Sequence, residues 1–124
     1  MAKVVGIGGI FFKARDPKAL GAWYARHLGL PLQDFGGAMF TEEEKRAGYM
    51  LRTPFAEGTA YFAPSEKPFM VNFRVDDLHG LLAQLRAAEV QVDEKVDESE
   101  YGKFGWVMDP EGNRVELWEP PAGK

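Results

Sequence analysis

Residues 12–17 read Phe-Lys-Ala-Arg-Asp-Pro, and residues 73–78 read Phe-Arg-Val-Asp-Asp-Leu. Each stretch runs from an aromatic residue through a basic and a small apolar residue to an aspartate that can open a helix. Apolar side chains alternate through and before both stretches, which is the period of a β-strand. The alternating positions are Ile10, Phe12 and Ala14 in the first copy and Val71, Phe73 and Val75 in the second. The sequence therefore predicts two copies of one strand–helix–strands module.

A helix is predicted directly after each stretch. Asp16 suits the N-cap of the first helix, Pro17 its first position and Gly29 its C-terminal stop. Asp77 suits the N-cap of the second helix, which ends near Glu89 without the usual glycine. The apolar faces comprise Leu20, Trp23, Tyr24 and Leu28 in the first helix and Leu78, Leu81, Leu82 and Leu85 in the second.

Further strands are predicted after each helix. Residues 104–108 and 114–118 flank Asp109-Pro110-Glu111-Gly112-Asn113, a turn with proline early and glycine late. The first copy has a looser version, with strands over 49–52 and 59–62. When Gly58 is aligned with Gly112, Phe62 falls opposite Glu116.

These elements predict a single domain over residues 1–124. Module one extends over about 4–63, a linker over about 63–68 and module two over about 69–120. A chain of this length can bury enough surface to fold without disulfides.

Composition excludes several classes of function. The chain has no cysteine, which rules out disulfides, thiolate zinc sites and thiol nucleophiles. The net charge of −4 leaves no basic patch, so nucleic acid is not an expected partner. No apolar run approaches the length of a membrane span, and no signal-peptide pattern opens the chain, so we expect a cytoplasmic protein without a membrane partner.

The arrangement resembles the vicinal oxygen chelate superfamily, which includes glyoxalase I, bleomycin-resistance proteins and extradiol dioxygenases. The most specific likeness is in residues 101–106 and 109–118, and residues 9–30 support it. The resemblance implies an α+β fold of two βαβββ modules whose curved mixed sheets enclose a cavity. It also implies a homodimer, because members of the superfamily often build the cavity from two chains.

Metal-dependent members draw ligands from the first and last strands of each module. Carried over position by position, these ligands fall on Gly9, Phe62, Met70 and Glu116. Only Glu116 can ligate a hard divalent ion, and such ions need about three or more ligands. A shift of one or two residues would bring Tyr61 to the Phe62 position. The histidines, His27 and His79, fall on the helices, so we expect no metal site and no cofactor, although a divalent metal with unorthodox ligands is not excluded.

One sheet face is predicted to line a small-molecule pocket, with residues 101–106 as a mobile segment that closes over it or as a plain loop. The expected ligand-binding residues on that face are Phe11, Lys13, Met70, Asn72, Arg74, Trp106 and Met108. This aromatic and polar mixture is typical of small-molecule sites.

Glu116 lies on the same predicted face. It could bind a cationic or hydroxyl group or act as a general base, or it could simply pair with Arg74, Lys13 or Arg114. The favoured function is a metal-free protein that binds an aromatic or cationic small molecule. The alternative is a lyase or isomerase with Glu116 as base and Arg74 or Lys13 holding an oxyanion.

Overall fold

The computed structural model describes residues 2–3, 9–41 and 48–122 of the chain. Over these residues the chain forms helices α1 (Pro17–Leu28) and α2 (Leu78–Ala87). The strands are β1 (Val71–Arg74), β2 (Asp97–Ser99), β3 (Gly102–Met108) and β4 (Arg114–Glu119). Residues 4–8, where module one was expected to begin, lie outside the described residues.

The strands form one mixed sheet in the order β1-β4-β3-β2. The central pair, β3 and β4, is antiparallel. From β1 the chain crosses through α2 to β2 at the other edge of the sheet, and the β2–β3–β4 meander then returns so that β4 pairs with β1 in parallel. Together β1, α2 and β2–β4 make up the second βαβββ module as predicted, and the α+β class is confirmed.

The hydrophobic core lies between α2 and one face of the sheet. The apolar face of α2 meets inward side chains of β3 and β4, while Tyr24 and Leu28 of α1 pack against the edge of this cluster. The buried residues are Leu78, Leu82, Leu85, Val107, Val115 and Leu117. Because side chains alternate along a strand, burial of Val115 and Leu117 turns Glu116 to the opposite face.

Both helices begin where the sequence predicts. Asp16 accepts a hydrogen bond from the Ala19 N–H at 3.1 Å, and Asp77 accepts one from the Gly80 N–H at 3.0 Å. Gly29 ends α1 in the left-handed conformation, with φ of 69°. Glu89 adopts φ of 63° just after α2, so a glutamate occupies the left-handed position that glycine usually fills.

The predicted turn at residues 109–113 joins β3 to β4 and also holds α1. Asp109 is buried, and its side chain accepts hydrogen bonds from the Asn113 backbone at 2.9 Å and from the Tyr24 hydroxyl at 2.8 Å. Glu111 accepts from the backbone N–H groups of Arg15 and Asp16 at 2.8 and 2.9 Å. These contacts fix the start and the middle of α1 to module two.

The structure corrects three predicted strands and one predicted lid or loop. Residues 10–14, 49–52 and 59–62 are not strands; residues 61–64 form a turn, and all four named strands belong to module two. Residues 101–106 are neither a lid nor a loop, because β3 begins at Gly102 and its Gly105 and Trp106 are buried in the centre of the sheet. Gly105 allows a close approach of β3 and α2, because a Cβ there would lie 3.0 Å from Leu82.

No helix in the described part of the chain combines the length and the apolar character needed to cross a membrane.

Candidate functional site

Strand register gathers three polar or aromatic side chains on the face opposite α2. Glu116 of β4 lies between Asn72 of β1 and Trp106 of β3, which are its direct cross-strand partners. Cross-strand partners project from the same face of a sheet. We call this face, with the side chains that cover it, the ligand face.

The Glu116 carboxylate is buried and is hydrogen-bonded by three described side chains. Oε1 accepts from the Tyr61 hydroxyl at 2.6 Å and from Trp106 Nε1 at 3.0 Å, and Oε2 accepts from Asn72 Nδ2 at 2.7 Å. A buried carboxylate needs such donors, because an unpaired charge in this position would be costly. The predicted pairing of Glu116 with Arg114 is not formed: Arg114 instead contacts Asp93, with Nη1 3.3 Å from Oδ2.

Tyr61 comes from the turn that follows residue 60 and reaches the sheet from outside it. Its ring stacks on Phe55, with centroids 5.4 Å apart, and meets Trp106 edge-on at 6.2 Å. Burial, reinforced by the hydrogen bond to Glu116, raises the pKa of Tyr61 well above its ordinary value, so the hydroxyl stays protonated.

Tyr61 is the residue of this segment that hydrogen-bonds Glu116, which is the contact that the shifted alternative allowed. The Gly58–Gly112 match assumed two equal hairpins, but the first copy folds as a turn and follows no strand register. In the sequence, the short spacing from Gly58 to the aromatic pair Tyr61-Phe62 was the only signal that an aromatic side chain of this segment reaches Glu116.

A groove of about 500 Å³ opens beside Tyr61, between that ring and the edge strand β2. It is open to solvent and combines aromatic and acidic side chains. Its lining residues are Tyr61, Val96, Asp97, Glu98, Ser99 and Phe104. Phe104 stacks in turn on Trp118, with rings 14° from parallel, which extends the aromatic surface along the sheet.

The acidic side chains of the groove have partners that are themselves exposed. Asp97 lies 3.8 Å from the Lys95 ammonium, and Glu98 lies 3.4 Å from His79 Nε2. Ion pairs between exposed side chains contribute little to stability, so a ligand cation can replace either partner. Sequence reasoning missed Asp97 and Glu98 because the short β2 carries no apolar alternation.

The other predicted ligand-binding residues are distributed unevenly. Arg74 and Met108 lie on strands at positions that share the ligand face, and Met70 immediately precedes β1. Phe11 is 97% exposed and Lys13 is exposed, both in the segment before α1. The structure thus brings Asn72, Trp106 and Glu116 into contact, whereas Phe11 and Lys13 are exposed to solvent.

The ligand set of a superfamily metal site does not fit here. The Tyr61 hydroxyl, the Asn72 amide and the Trp106 indole N–H all donate hydrogen bonds to the Glu116 carboxylate. A metal cation needs the opposite kind of neighbour, namely electron-pair donors such as oxygen or nitrogen ligands. Over the described ranges, no group of three His, Asp or Glu side chains is arranged to hold an ion. His27 lies against Trp23, with ring centroids 5.2 Å apart and planes tilted by 51°, and His79 contacts Glu98.

Solved structures share this fold over nearly the whole chain. The antibiotic-binding protein TnmS3 from Streptomyces sp. CB03234 superposes with a TM-score of 0.61 at 16% identity, covering 98% of this chain and 100% of its own. A glyoxylase/bleomycin resistance protein/dioxygenase domain from Frankia sp. EAN1pec has a TM-score of 0.58 at 12% identity, covering 96% and 100%. TioX from Micromonospora sp. ML1 has a TM-score of 0.51 at 16% identity, covering 90% and 93%.

Three further solved structures match less of the fold, since the chain spans only 42% to 52% of their length. No curated protein sequence matches the chain. A family model described as a glyoxalase-like domain matches residues 9–118. Given this match over most of the chain, the chain belongs to the glyoxalase-like domain family.

Proposed function

We propose that this protein binds a small cationic aromatic molecule in the groove beside Tyr61, without a catalytic metal. The observation that carries the proposal is the composition of that groove, which sets the Tyr61 and Phe104 rings beside the Asp97 and Glu98 carboxylates. The antibiotic-binding activity of TnmS3, a protein of the same fold, supports small-molecule binding as a use of this architecture.

The two kinds of side chain in the groove suit two parts of one ligand. A planar ring can stack on Tyr61 or Phe104, and such aromatic contacts are worth about 0.5–1.5 kcal/mol beyond area burial. A positive group at the rim gains from Asp97 and Glu98 and from the electron-rich faces of the rings. A volume of about 500 Å³ lies within the range of drug-sized ligand pockets.

We assign Glu116 the role of holding the wall of this groove. Its oxygens already accept hydrogen bonds from Tyr61, Asn72 and Trp106, so they are engaged before any ligand arrives. The carboxylate fixes the Tyr61 ring at the groove and the Trp106 ring behind it. In this role Glu116 positions the binding surface, whereas a general base would need to contact the substrate directly.

The metal-free part of the proposal rests on the chemistry around Glu116. Hydrogen-bond donors surround the carboxylate, and the superfamily positions at Gly9 and Met70 offer no hard ligand. Elemental analysis of protein purified without chelators tests this part. A stoichiometric divalent metal would contradict it.

A cytoplasmic location stays a prediction. We further propose that two copies of the chain associate. Large apolar side chains in residues 10–12, 35–40 and 49–55 are exposed, among them Phe35 at 74% and Leu51 at 70%. Large exposed apolar side chains in this number favour an interface with a partner over a surface that faces water. Light scattering should give twice the chain mass of 13.9 kDa, and a mass of one chain only would refute association.

The binding proposal is tested with benzyltrimethylammonium, a cation attached to one aromatic ring, in a calorimetric titration. Benzyl alcohol and benzoate serve as the neutral and anionic comparison compounds. We expect saturable binding of the cation, weaker binding of the alcohol and none of benzoate. Replacing Tyr61 with Ala should abolish binding, whereas Tyr101→Ala, which changes an exposed tyrosine outside the groove lining, should leave it unchanged.

A substitution of Glu116 separates binding from catalysis. If the protein were instead a lyase or isomerase with Glu116 as base, Glu116→Gln would abolish turnover of any substrate found. Turnover that survives Glu116→Gln removes that mechanism, and turnover lost with ligand binding intact would overturn the positioning role.

A further inference from the structure

Lys95 is the one basic side chain in an acidic stretch of the chain. Residues 93–100 read Asp-Glu-Lys-Val-Asp-Glu-Ser-Glu and pass through β2, which borders the groove beside Tyr61. The Lys95 backbone N–H donates to Asp93 Oδ1 at 2.9 Å, which fixes the backbone at this residue. Its side chain is 67% exposed, so the ammonium can move while the backbone stays in place.

Asp97 projects from the ligand face of the sheet. It is the cross-strand partner of Phe104, which is in turn the partner of Trp118, and alternation along β4 puts Trp118 on the same face as Glu116. Besides burial and the hydrogen bond to Glu116, the negative charge of Asp97 raises the pKa of Tyr61, as expected for a carboxylate near that hydroxyl. Asp97 is therefore the carboxylate that lies beside the aromatic rings of the groove.

The Lys95 ammonium lies where the positive group of a ligand is expected. Nζ is 3.8 Å from Asp97 Oδ2 and 5.9 Å from the centroid of the Trp106 ring. A carboxylate within about 4 Å and an aromatic face within about 6 Å are the two neighbours that stabilise an organic cation. The Trp106 ring meets Tyr61 edge-on at 6.2 Å, and Val96 and Asp97 line the groove, so this position adjoins it.

The neighbouring carboxylates have partners of their own. These pairs are Glu116 with Tyr61, Asn72 and Trp106, Glu98 with His79, and Asp93 with Arg114. The partner of Asp97 is Lys95, and both side chains are at least half exposed. A ligand cation can therefore take the place of Lys95 on Asp97 without breaking any of the other pairs.

We propose that Lys95 is a built-in competitor for the ligand cation, which occupies the position on Asp97 until a ligand displaces it. This role rests on the binding function proposed for the groove, since it matters only where a cationic ligand enters. On binding, the Lys95 side chain turns out into solvent and the positive group of the ligand takes its place. Because the two positive charges share one carboxylate and repel each other, Lys95 lowers the affinity for cationic ligands and leaves the affinity for neutral ligands unchanged.

The test compares Lys95→Met with the wild type in calorimetric titrations of the full chain with benzyltrimethylammonium and with benzyl alcohol, at one ionic strength. Methionine keeps most of the apolar stem of lysine and removes the charge. An exposed ion pair and an exposed cation–π contact are each worth up to about a factor of five. Lys95→Met should therefore bind the cation roughly fivefold more tightly and benzyl alcohol as the wild type does.

Two control variants separate the position of the charge from its presence. Lys18→Met, at an exposed lysine of α1, changes the net charge of the chain by the same amount and should bind like the wild type. Lys95→Arg keeps a cation at the position and should bind benzyltrimethylammonium no more tightly than the wild type.

The outcomes distinguish this role from the function of the groove. Saturable binding of benzyltrimethylammonium by the wild type, with no gain in Lys95→Met, would overturn the role of Lys95 and leave the function of the groove standing. An equal gain for benzyl alcohol, or an equal gain in Lys18→Met or Lys95→Arg, would also overturn it, since steric release or overall charge would then explain the change. No saturable binding by either the wild type or Lys95→Met would overturn the function of the groove and this role with it.

Discussion

The bond between Tyr61 and Glu116 can be tested by removing a single oxygen atom. Tyr61→Phe keeps the ring that stacks on Phe55 and meets Trp106, but it deletes the hydroxyl that donates to Glu116 at 2.6 Å. The change therefore isolates the hydrogen bond from the packing. Glu116 keeps its donors from Trp106 and Asn72.

The expected magnitude follows from the charge of the acceptor and the exposure of the donor. A hydrogen bond to a charged group contributes about 1.5–3 kcal/mol. Tyr61 is 39% exposed, so water can replace part of the lost interaction. We expect Tyr61→Phe to lower the free energy of unfolding by about 1–2 kcal/mol. In a Glu116→Gln background the same change should cost about 1 kcal/mol less, because the charged acceptor is gone.

Urea unfolding followed by tryptophan fluorescence measures both values, since Trp106 lies directly beside the altered bond. Tyr101→Phe, at an exposed tyrosine, is the matched control and should leave stability within about 0.5 kcal/mol. A neutral Tyr61→Phe, or costs that simply add in the double variant, would show that Glu116 does not hold Tyr61.

Three other predictions concern the stability of the fold around the site. Gly102→Ala should destabilise the fold by about 2 kcal/mol or more in urea unfolding, because φ is +116° and the new Cβ would collide with the Glu119 carbonyl oxygen. Glu89→Gly should raise the free energy of unfolding by about 0.5 kcal/mol, since it relieves a left-handed residue at the cost of some unfolded-state entropy. Burial and the hydrogen bond to Asp109 raise the pKa of Tyr24 above its value in the unfolded chain, so folding favours the protonated hydroxyl. The free energy of unfolding should therefore fall above about pH 10. Tyr24→Phe should weaken this alkaline dependence.

Each of these predictions has a control in the same chain. Gly112→Ala, at an open left-handed position, should cost less than Gly102→Ala. Ala88→Gly, where φ is −87°, should not stabilise as Glu89→Gly does. Tyr101→Phe should keep the alkaline dependence of the wild type. Equal effects at the paired positions would contradict the assigned causes.

The second module could be predicted from sequence because its signals are local and strong. Asp77 and the leucine stripe define α2, and the proline and glycine of residues 109–113 define the turn that sets the register of β3 against β4. Alternation along β4 turns Glu116 to the face opposite the one that carries Val115 and Leu117, and the register with β3 places it beside Trp106. The face of the sheet and its buried carboxylate therefore followed directly from alternation.

The first module could not be predicted in the same way. Alternation at residues 10–14 and in 49–62 satisfies the strand pattern, but a strand also needs a hydrogen-bonded neighbour, which one sequence does not specify. Without that ladder no rule fixed whether Tyr61 or Phe62 faces Glu116. Two glycines in residues 101–106 are typical of a mobile segment or a loop, but in the fold Gly105 allows α2 to pack closely on β3.

The central claim is that the groove beside Tyr61 binds a cationic aromatic ligand. The most direct measurement is the dissociation constant of benzyltrimethylammonium for the wild type and for the double variant Asp97→Asn, Glu98→Gln, at one ionic strength. Two exposed carboxylates contribute together about 1–2 kcal/mol, so the double variant should bind roughly tenfold more weakly. Equal affinity in the two proteins, or no saturable binding by the wild type, would contradict the claim.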